Sequence, residues 1–209
     1  MKNALEKNKE YSDNYVQKIE GLEIPELIKK IIKDSKNILD LGCGYGQILQ
    51  AIKEEYPKKN LTGVEISPVR IDFLNKKIPN CKFLCKDVCD TKLKDKSFDL
   101  IISTQVIEHL EDDKELVNEM LRLCKKKGYI YVTSVIKKPW AIYKYRNKGK
   151  FVLDPTHEKE YKNSKEFLDL FKDKFKLIHG KVFPVKRKLF SFKLKIPGYY
   201  IIEGLWQKK

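Results

Sequence analysis

No run in the 209-residue chain approaches the roughly 18 uninterrupted apolar residues of a membrane span. Met1 to Glu10 is polar and mixed in charge, without the apolar stretch of a secretory signal. A cytoplasmic protein is expected. Cysteine is sparse and odd in number, with Cys43, Cys81, Cys85, Cys89 and Cys124, so no disulfide framework is expected. The spacing Cys81-x3-Cys85-x3-Cys89 fits neither a zinc knuckle nor a common iron-sulfur pattern, and Cys81 to Cys85 reads as a short buried strand. Free core thiols and no metal are expected. Internal repeats and low-complexity linkers are also absent, which leaves one domain over 1–209, with 42% hydrophobic residues to build its core.

Acidic side chains run short in only one part of the chain. Residues 1–119 carry 20 basic against 22 acidic groups, and residues 120–209 carry 24 against 7. The whole net charge of +15 therefore belongs to the C-terminal part. Such asymmetry suits an anionic partner, whether nucleic acid, phosphorylated small molecule or membrane surface, although solvated lysines need no partner at all. Within this part Trp140, Tyr143 and Tyr145 stand among Lys137, Lys138, Lys144, Arg146, Lys148 and Lys150.

Strand and helix signals alternate along the chain. Tyr11, Tyr15, Ile19 and Leu22 recur at helical spacing, and Pro25 opens a second helix through Ile32. Short apolar strands are predicted at 37–41, 61–66, 81–85, 98–103 and 129–135. Helices are predicted at 47–56, 68–77 and 111–124, the last stopped by Gly128. Asp90 to Ser97 has no room for a long helix. Strands joined by helical crossovers call for an α/β fold, a doubly wound and mostly parallel sheet. A helix from Ser164 to Lys172, with Ser164 as N-cap, and strands 175–182 and 199–206 complete the reading. The last two are expected to pair antiparallel because little sequence separates them.

The chemistry begins where the first strand ends. Gly42-x-Gly44-x-Gly46 between strand and helix lets backbone approach a ligand more closely than a Cβ permits. It differs from the dinucleotide pattern G-x-G-x-x-G, since the third glycine comes one position early and Gln47 fills its place. Glu65, at the end of strand two, can accept both hydrogen bonds of a ribose diol. Asp87, after strand three, is placed to meet a base amino group. Three successive strand ends thus offer the partners of an adenosine laid across the sheet edge.

These segments resemble the class I S-adenosylmethionine-dependent methyltransferases. Ile38 to Gly46 is similar to that family's first motif, Gly63 to Ser67 to its second and Lys86-Asp87-Val88 to its third. Phe98 to Leu110 is similar to the fourth strand and following helix of the small-molecule branch, which includes ubiquinone-pathway O-methyltransferases. The resemblance covers about residues 36–136, with a weaker echo in Asp154 to Tyr161. It implies a Rossmann-like seven-stranded sheet with an antiparallel last strand. It also divides the domain into a helical cover (1–35), a cofactor-binding core (36–136) and a substrate wall with the terminal strands (137–209).

The resemblance implies S-adenosyl-L-methionine as cofactor, bound by Asp40, Gly42, Cys43, Gly44, Gly46, Glu65, Ile66, Asp87, Val88 and Gln105. Tyr11 and Tyr15 cover it or simply pack. A hydroxyl or amine acceptor must also lose a proton, and the chain has only three histidines. His157, in a polar loop beside Asp154, Glu158 and Glu160, is the candidate general base. His109 reads as a packing residue or a lesser candidate, and His179 as structural. A metal at Glu108, His109 and Glu111 is disfavoured, because consecutive helical side chains point to different faces. The leading function is methyl transfer to a small-molecule acceptor, at an oxygen, with an anionic substrate compatible with the basic part. The alternatives are an RNA methyltransferase and a binding module that kept the fold. Against RNA, Ser103-Thr104-Gln105-Val106 stands where an Asn/Asp-Pro-Pro-Tyr/Phe motif would be.

Overall fold

The computed structural model describes residues 4–14, 23–137, 145–189 and 194–209. Its framework is a seven-stranded sheet in the order β3-β2-β1-β4-β5-β9-β8. The strands are β1 (Asn37–Leu41), β2 (Asn60–Glu65), β3 (Lys82–Cys85), β4 (Phe98–Thr104), β5 (Cys124–Ile136), β8 (Phe175–Leu189) and β9 (Leu194–Lys208). The pairs β1–β2, β1–β4, β2–β3 and β4–β5 are parallel, whereas β9 runs antiparallel to both β5 and β8. The sheet is therefore Rossmann-like and mostly parallel, with one antiparallel strand, as the resemblance implied.

The strands are apolar on both faces because both faces are covered. Alternation along β1 sends Ile38 to one core and Leu39 and Leu41 to the other. Ile38 packs with Ile28 of α2 (Glu26–Lys29), Leu49 and Ile52 of α3 (Gln47–Glu55) and Leu74 of α4 (Pro68–Lys77). On the opposite face, α5 (Asp113–Leu123) brings Leu116, Met120 and Leu123, and α6 (Ser164–Asp169) brings Phe167. There Tyr161, Phe167, Phe171 and Trp206 meet edge-on or tilted, and all four are fully buried. Both cores end at the carboxyl edge of β1, β2 and β4, where the loops gather.

Several boundaries differ from those predicted. Helix α1 spans Ala4–Asn14; of the predicted first helix only Tyr11 falls on it, and Tyr15, Ile19 and Leu22 lie outside the described residues. Pro25 opens four residues of α-helix and then a 3₁₀ turn at Ile32–Asp34. Helix α5 is capped by Asp112 and hands over directly to β5 at Cys124. Gly128 lies inside that strand instead of stopping the helix, and a Cβ there would meet Cys124 Sγ at 2.9 Å. The N-cap of α6 is Asn163, whose Oδ1 accepts from the Glu166 N–H at 2.9 Å, so Ser164 is its first helical residue. The terminal hairpin reaches well past 175–182 and 199–206, since pairing continues to Leu189 and Leu194. A small hairpin of β6 (Tyr145–Asn147) and β7 (Lys150–Val152) went unpredicted; it turns on Lys148 and Gly149, both at positive φ. All five cysteines are free, with Cys43 and Cys124 buried but Cys85 exposed, so the core reading holds for only part of the set. Trp140 and Tyr143 lie outside the described residues. No described helix is long and apolar enough to cross a membrane.

Candidate active site

The carboxyl edge of the sheet opens into a cavity of about 380 Å³. Gly42, Cys43, Gly44, Glu65, Ile66, Asp87, Val88 and Gln105 line it. Leu5, Asn8, Tyr11 and Ser12 of α1 line it from another side, and His109, Leu110 and Thr156 are also on its wall.

The glycine loop is built for close approach. The Gly42 and Cys43 N–H groups both donate to the Val64 carbonyl, at 2.8 and 3.0 Å, folding the loop back over β2. Gly42 has φ +78°, and a Cβ there would overlap Val106 at 2.3 Å. Gly44 has φ +55°, and no atom lies within 4 Å of where a Cβ would stand, so its backbone borders open space. Gly46 is not on the cavity wall; it caps α3 at φ +72° against Leu74 and Ile78.

Glu65 is 4% exposed and already engaged. Its Oε2 accepts from the Gly44 N–H at 2.9 Å, and its Oε1 accepts from the N–H groups of Ile66 and Ser67 at 2.9 and 3.1 Å. Arg70 Nη1 lies 3.7 Å from Oε2, and the same guanidinium sits 5.0 Å over the Tyr45 ring. The carboxylate therefore fastens the glycine loop to the end of β2, with acceptor capacity left on Oε2. Asp87 Oδ1 accepts from the Cys89 N–H at 2.8 Å, while no hydrogen bond among the described residues uses its Oδ2. Gln105 adopts φ +56°, an uncommon conformation for a residue with a Cβ, and donates its N–H to the Thr133 carbonyl at 3.2 Å.

Asp40 lies beneath the loop, 2% exposed, and its Oδ1 has no partner among the described residues. Burial, with the nearby Glu65 charge, pushes its carboxyl up to about 7. Asp40 is not itself on the cavity wall but two residues before Gly42, which is, and a buried acceptor without a partner suits a neighbouring ligand that brings a positive or hydrogen-bond-donating group.

The loop after β7 completes the wall. The Glu158 and Lys159 N–H groups donate to the Glu108 carbonyl at 2.9 and 3.0 Å, which docks residues 154–161 under the turn that follows β4. Thr156 thereby meets His109, with Oγ1 and Nδ1 2.9 Å apart. His157 does not reach the cavity. It is 6% exposed, its Nδ1 bonds Glu160 Oε1 at 2.7 Å, and its ring meets the His109 ring edge-on at 4.9 Å between centroids. The histidine on the wall is His109, which the sequence reading ranked lower. Glu108, His109 and His157 each place one ligating atom within 4.8 Å of the others, a trio formed without Glu111. Each is held by its own hydrogen-bond partner, Glu108 by Ser134, His109 by Thr156 and His157 by Glu160. Burial pushes the Glu108 carboxyl up to about 7, and its Oε1 is unpartnered among the described residues.

The α1 contribution was legible only at Tyr11. Asn8 Nδ2 donates to the His109 carbonyl at 2.8 Å, and Ser67 Oγ donates to Asp13 Oδ1 at 2.5 Å. The helix is thus pinned to both sides of the cavity.

Comparison with known proteins agrees with this arrangement. Residues 39–132 match the family model described as a methyltransferase domain. The chain is 28% identical over 165 residues to malonyl-(acyl-carrier protein) O-methyltransferase 1 of Ilyobacter polytropus, covering 76% of this chain and 58% of that protein. It is 29% identical over 117 residues to (S)-coclaurine N-methyltransferase of Papaver somniferum, covering 54% and 33%. The chain spans about half the length of the curated relatives it matches. A solved structure described as a SAM-dependent methyltransferase of Methanosarcina mazei shares the fold, with a TM-score of 0.69 at 16% identity, covering 89% of this chain and 98% of that one.

Proposed function

Given that the chain belongs to the class I S-adenosylmethionine-dependent methyltransferases, with residues 39–132 as its methyltransferase domain, we propose that it transfers a methyl group to an oxygen of a small-molecule acceptor. The residues present fit the cofactor of that family. The open backbone at Gly44 and the orphaned Asp40 Oδ1 are the features a cationic, amine-bearing ligand would complete. Gly42, Cys43 and Gly44 would lie along it, Glu65 Oε2 and Asp87 Oδ2 would accept from its ribose and adenine, and Ile66 and Val88 would flank the base. When bound, S-adenosylmethionine supplies a methyl on a positively charged sulfur: the acceptor–carbon bond forms as the carbon–sulfur bond breaks, the electron pair stays on sulfur, and a hydroxyl acceptor sheds one proton.

The protein's task is alignment and exclusion of water. Helix α1 walls the cavity, and Gln105, His109 and Thr156 supply polar groups close to the glycine loop. The observation that supports the small-molecule reading is the cavity of about 380 Å³ that α1 walls through Asn8 and Tyr11, a volume on the scale of small-ligand sites. The relatives' names include an O-methyltransferase and an N-methyltransferase, which supports the reaction class and leaves the acceptor to be tested.

The test has two stages. Calorimetry with S-adenosylhomocysteine should show one site per chain. Metabolite extracts incubated with the enzyme and methyl-labelled S-adenosylmethionine should then yield labelled products of low molecular mass. An RNA acceptor is the second reading, favoured by the seventeen excess positive charges of residues 120–209. Label appearing in RNA, with affinity falling steeply as salt rises, would establish it instead.

A further inference from the structure

His109 and Thr156 are 47 positions apart in sequence, yet their side chains meet on the cavity wall. Thr156 also bonds Asp154, through both its N–H (2.8 Å) and its hydroxyl (2.5 Å), to the same Oδ1. Asp154 in turn accepts from the Tyr11 hydroxyl at Oδ2, 3.3 Å away. Hydrogen positions along this row follow from donor and acceptor counting. A carboxylate only accepts, so the single hydroxyl proton of Thr156 points at Asp154. The Thr156 oxygen is then left with lone pairs toward His109, and Nδ1 must carry the ring proton that occupies one of them.

We propose that the row Asp154–Thr156–His109 locks His109 in the Nδ1–H tautomer, so that Nε2 offers a lone pair to the cavity and selects an acceptor carrying a proton on its reacting oxygen, an alcohol or phenol, over a carboxylate. This deepens the reading given under Proposed function and rests on it. Nδ1 is the ring nitrogen that the Thr156 hydroxyl meets, and the ring lines the cavity. A hydroxyl satisfies the Nε2 lone pair by donating to it. A carboxylate oxygen would face it lone pair to lone pair, with no proton between them.

The electrostatics favour the same form. Burial, reinforced by His157 and opposed by Asp154, holds the His109 imidazole down at about 4, so the ring is neutral around pH 7. Burial works to raise the Asp154 carboxyl, yet the hydrogen bonds from Thr156, together with His157 and His109, outweigh it and hold it below its usual range. Besides Asp154 and His157, Glu108 also adjoins the ring. A weak base suffices for this step. The acceptor hydroxyl turns strongly acidic only as its oxygen lone pair is drawn into the new bond to carbon. Its proton then passes to Nε2 and on to solvent, and the charge lost from sulfur leaves as that proton. Thr156 is a positioning residue, acting through His109.

The tautomer is directly measurable. Long-range proton–nitrogen NMR spectra of the ¹⁵N-histidine-labelled full chain, saturated with S-adenosylhomocysteine at pH 7.5, should show Nδ1 protonated and Nε2 bare for His109. The resonance is assigned by its loss in His109→Gln. Thr156→Ser should keep the pattern, and Thr156→Val should move it toward the other tautomer. An Nε2–H or doubly protonated His109 in the wild-type complex would overturn the proposal, as would retention of the Nδ1–H form in folded Thr156→Val. A panel of phenols and aliphatic alcohols, assayed beside carboxylates of the same skeletons, adds the chemical arm. Methyl ester formation at a rate matching or exceeding ether formation also overturns it. Where a hydroxyl substrate turns over, His109→Gln should slow it about 10²- to 10⁴-fold. Absence of S-adenosylhomocysteine binding in calorimetry would instead fail the methyltransferase reading, so the two failures are distinguishable.

Discussion

Tyr11 donates its hydroxyl hydrogen bond to Asp154 Oδ2 at 3.3 Å, joining α1 to the loop after β7 across 143 residues of sequence. Asn8 to the His109 carbonyl and Ser67 to Asp13 tie the same helix. Because α1 walls the cavity, these ties are expected to slow the exit of a bound ligand. Tyr11→Phe keeps the ring against the cavity and deletes one partly buried bond, worth about 1 kcal/mol. The expected outcome is faster release of S-adenosylhomocysteine, by about fivefold in stopped-flow measurements, with little change in melting temperature. An unchanged release rate would show that α1 does not gate the site.

Glu65 has two tasks that a substitution can separate. Three backbone N–H groups depend on its carboxylate, and a bound ribose would share Oε2. Glu65→Ala should lower stability by about 1 to 3 kcal/mol and weaken S-adenosylhomocysteine binding by a similar amount. Glu65→Gln retains one carbonyl acceptor and should recover most of the stability while leaving binding weak. Thermal unfolding with and without ligand reads both effects. Equal recovery of both would mean that the side chain serves only the loop.

The parts of the site that could be read from sequence are those whose chemistry is local to one strand end. Gly42 to Gly46, Glu65 and Asp87 each follow a strand within a few residues, and a parallel sheet brings successive strand ends to one edge. The wall beyond them is made by pairs far apart in sequence. Thr156 and His109, or Tyr11 and Asp154, find each other only because Glu108 docks the 154–161 loop through its backbone carbonyl, a contact with no side-chain signature. The same blindness explains His157: its loop and acidic neighbours were legible, but not that Glu160 and His109 would enclose it. Turns were misjudged for a related reason. Lys148-Gly149 makes a tight hairpin inside a run that composition marked only as basic.

His157 serves the wall from behind. Its replacement by Ala would leave Glu160 and Glu108 buried with fewer partners, a change that costs about 2 to 4 kcal/mol. The melting temperature should fall by roughly 5 to 15 °C on the scale set by a chain of this size. S-adenosylhomocysteine affinity should change less than twofold, because His157 does not line the cavity. A His157→Ala enzyme with wild-type stability and turnover reduced 10²-fold would return the proton-accepting role to His157.

Asp40 should make both stability and ligand binding depend on pH, in opposite senses. Its folded carboxyl sits at about 7 and its ordinary value is 3.8, so between these limits the folded chain holds a proton that the unfolded chain has released. Stability from this group is fully present below about pH 4 and is lost as pH rises through about 7, at about 1.4 kcal/mol for each unit of difference. Asp40→Asn, neutral at every pH, should therefore stabilise the ligand-free protein by a few kcal/mol at pH 8 and much less at pH 5. Binding runs the other way. A ligand that brings a positive charge to the orphaned Oδ1 favours the ionised form and expels the proton. Titration of S-adenosylmethionine into the wild type at pH 6.5, repeated in buffers of different ionisation enthalpy, should report release of a fraction of a proton per site. Asp40→Asn should abolish that release and weaken binding. Equal proton release from the two proteins would place the titrating group elsewhere, with Glu108, also near 7, the next to replace.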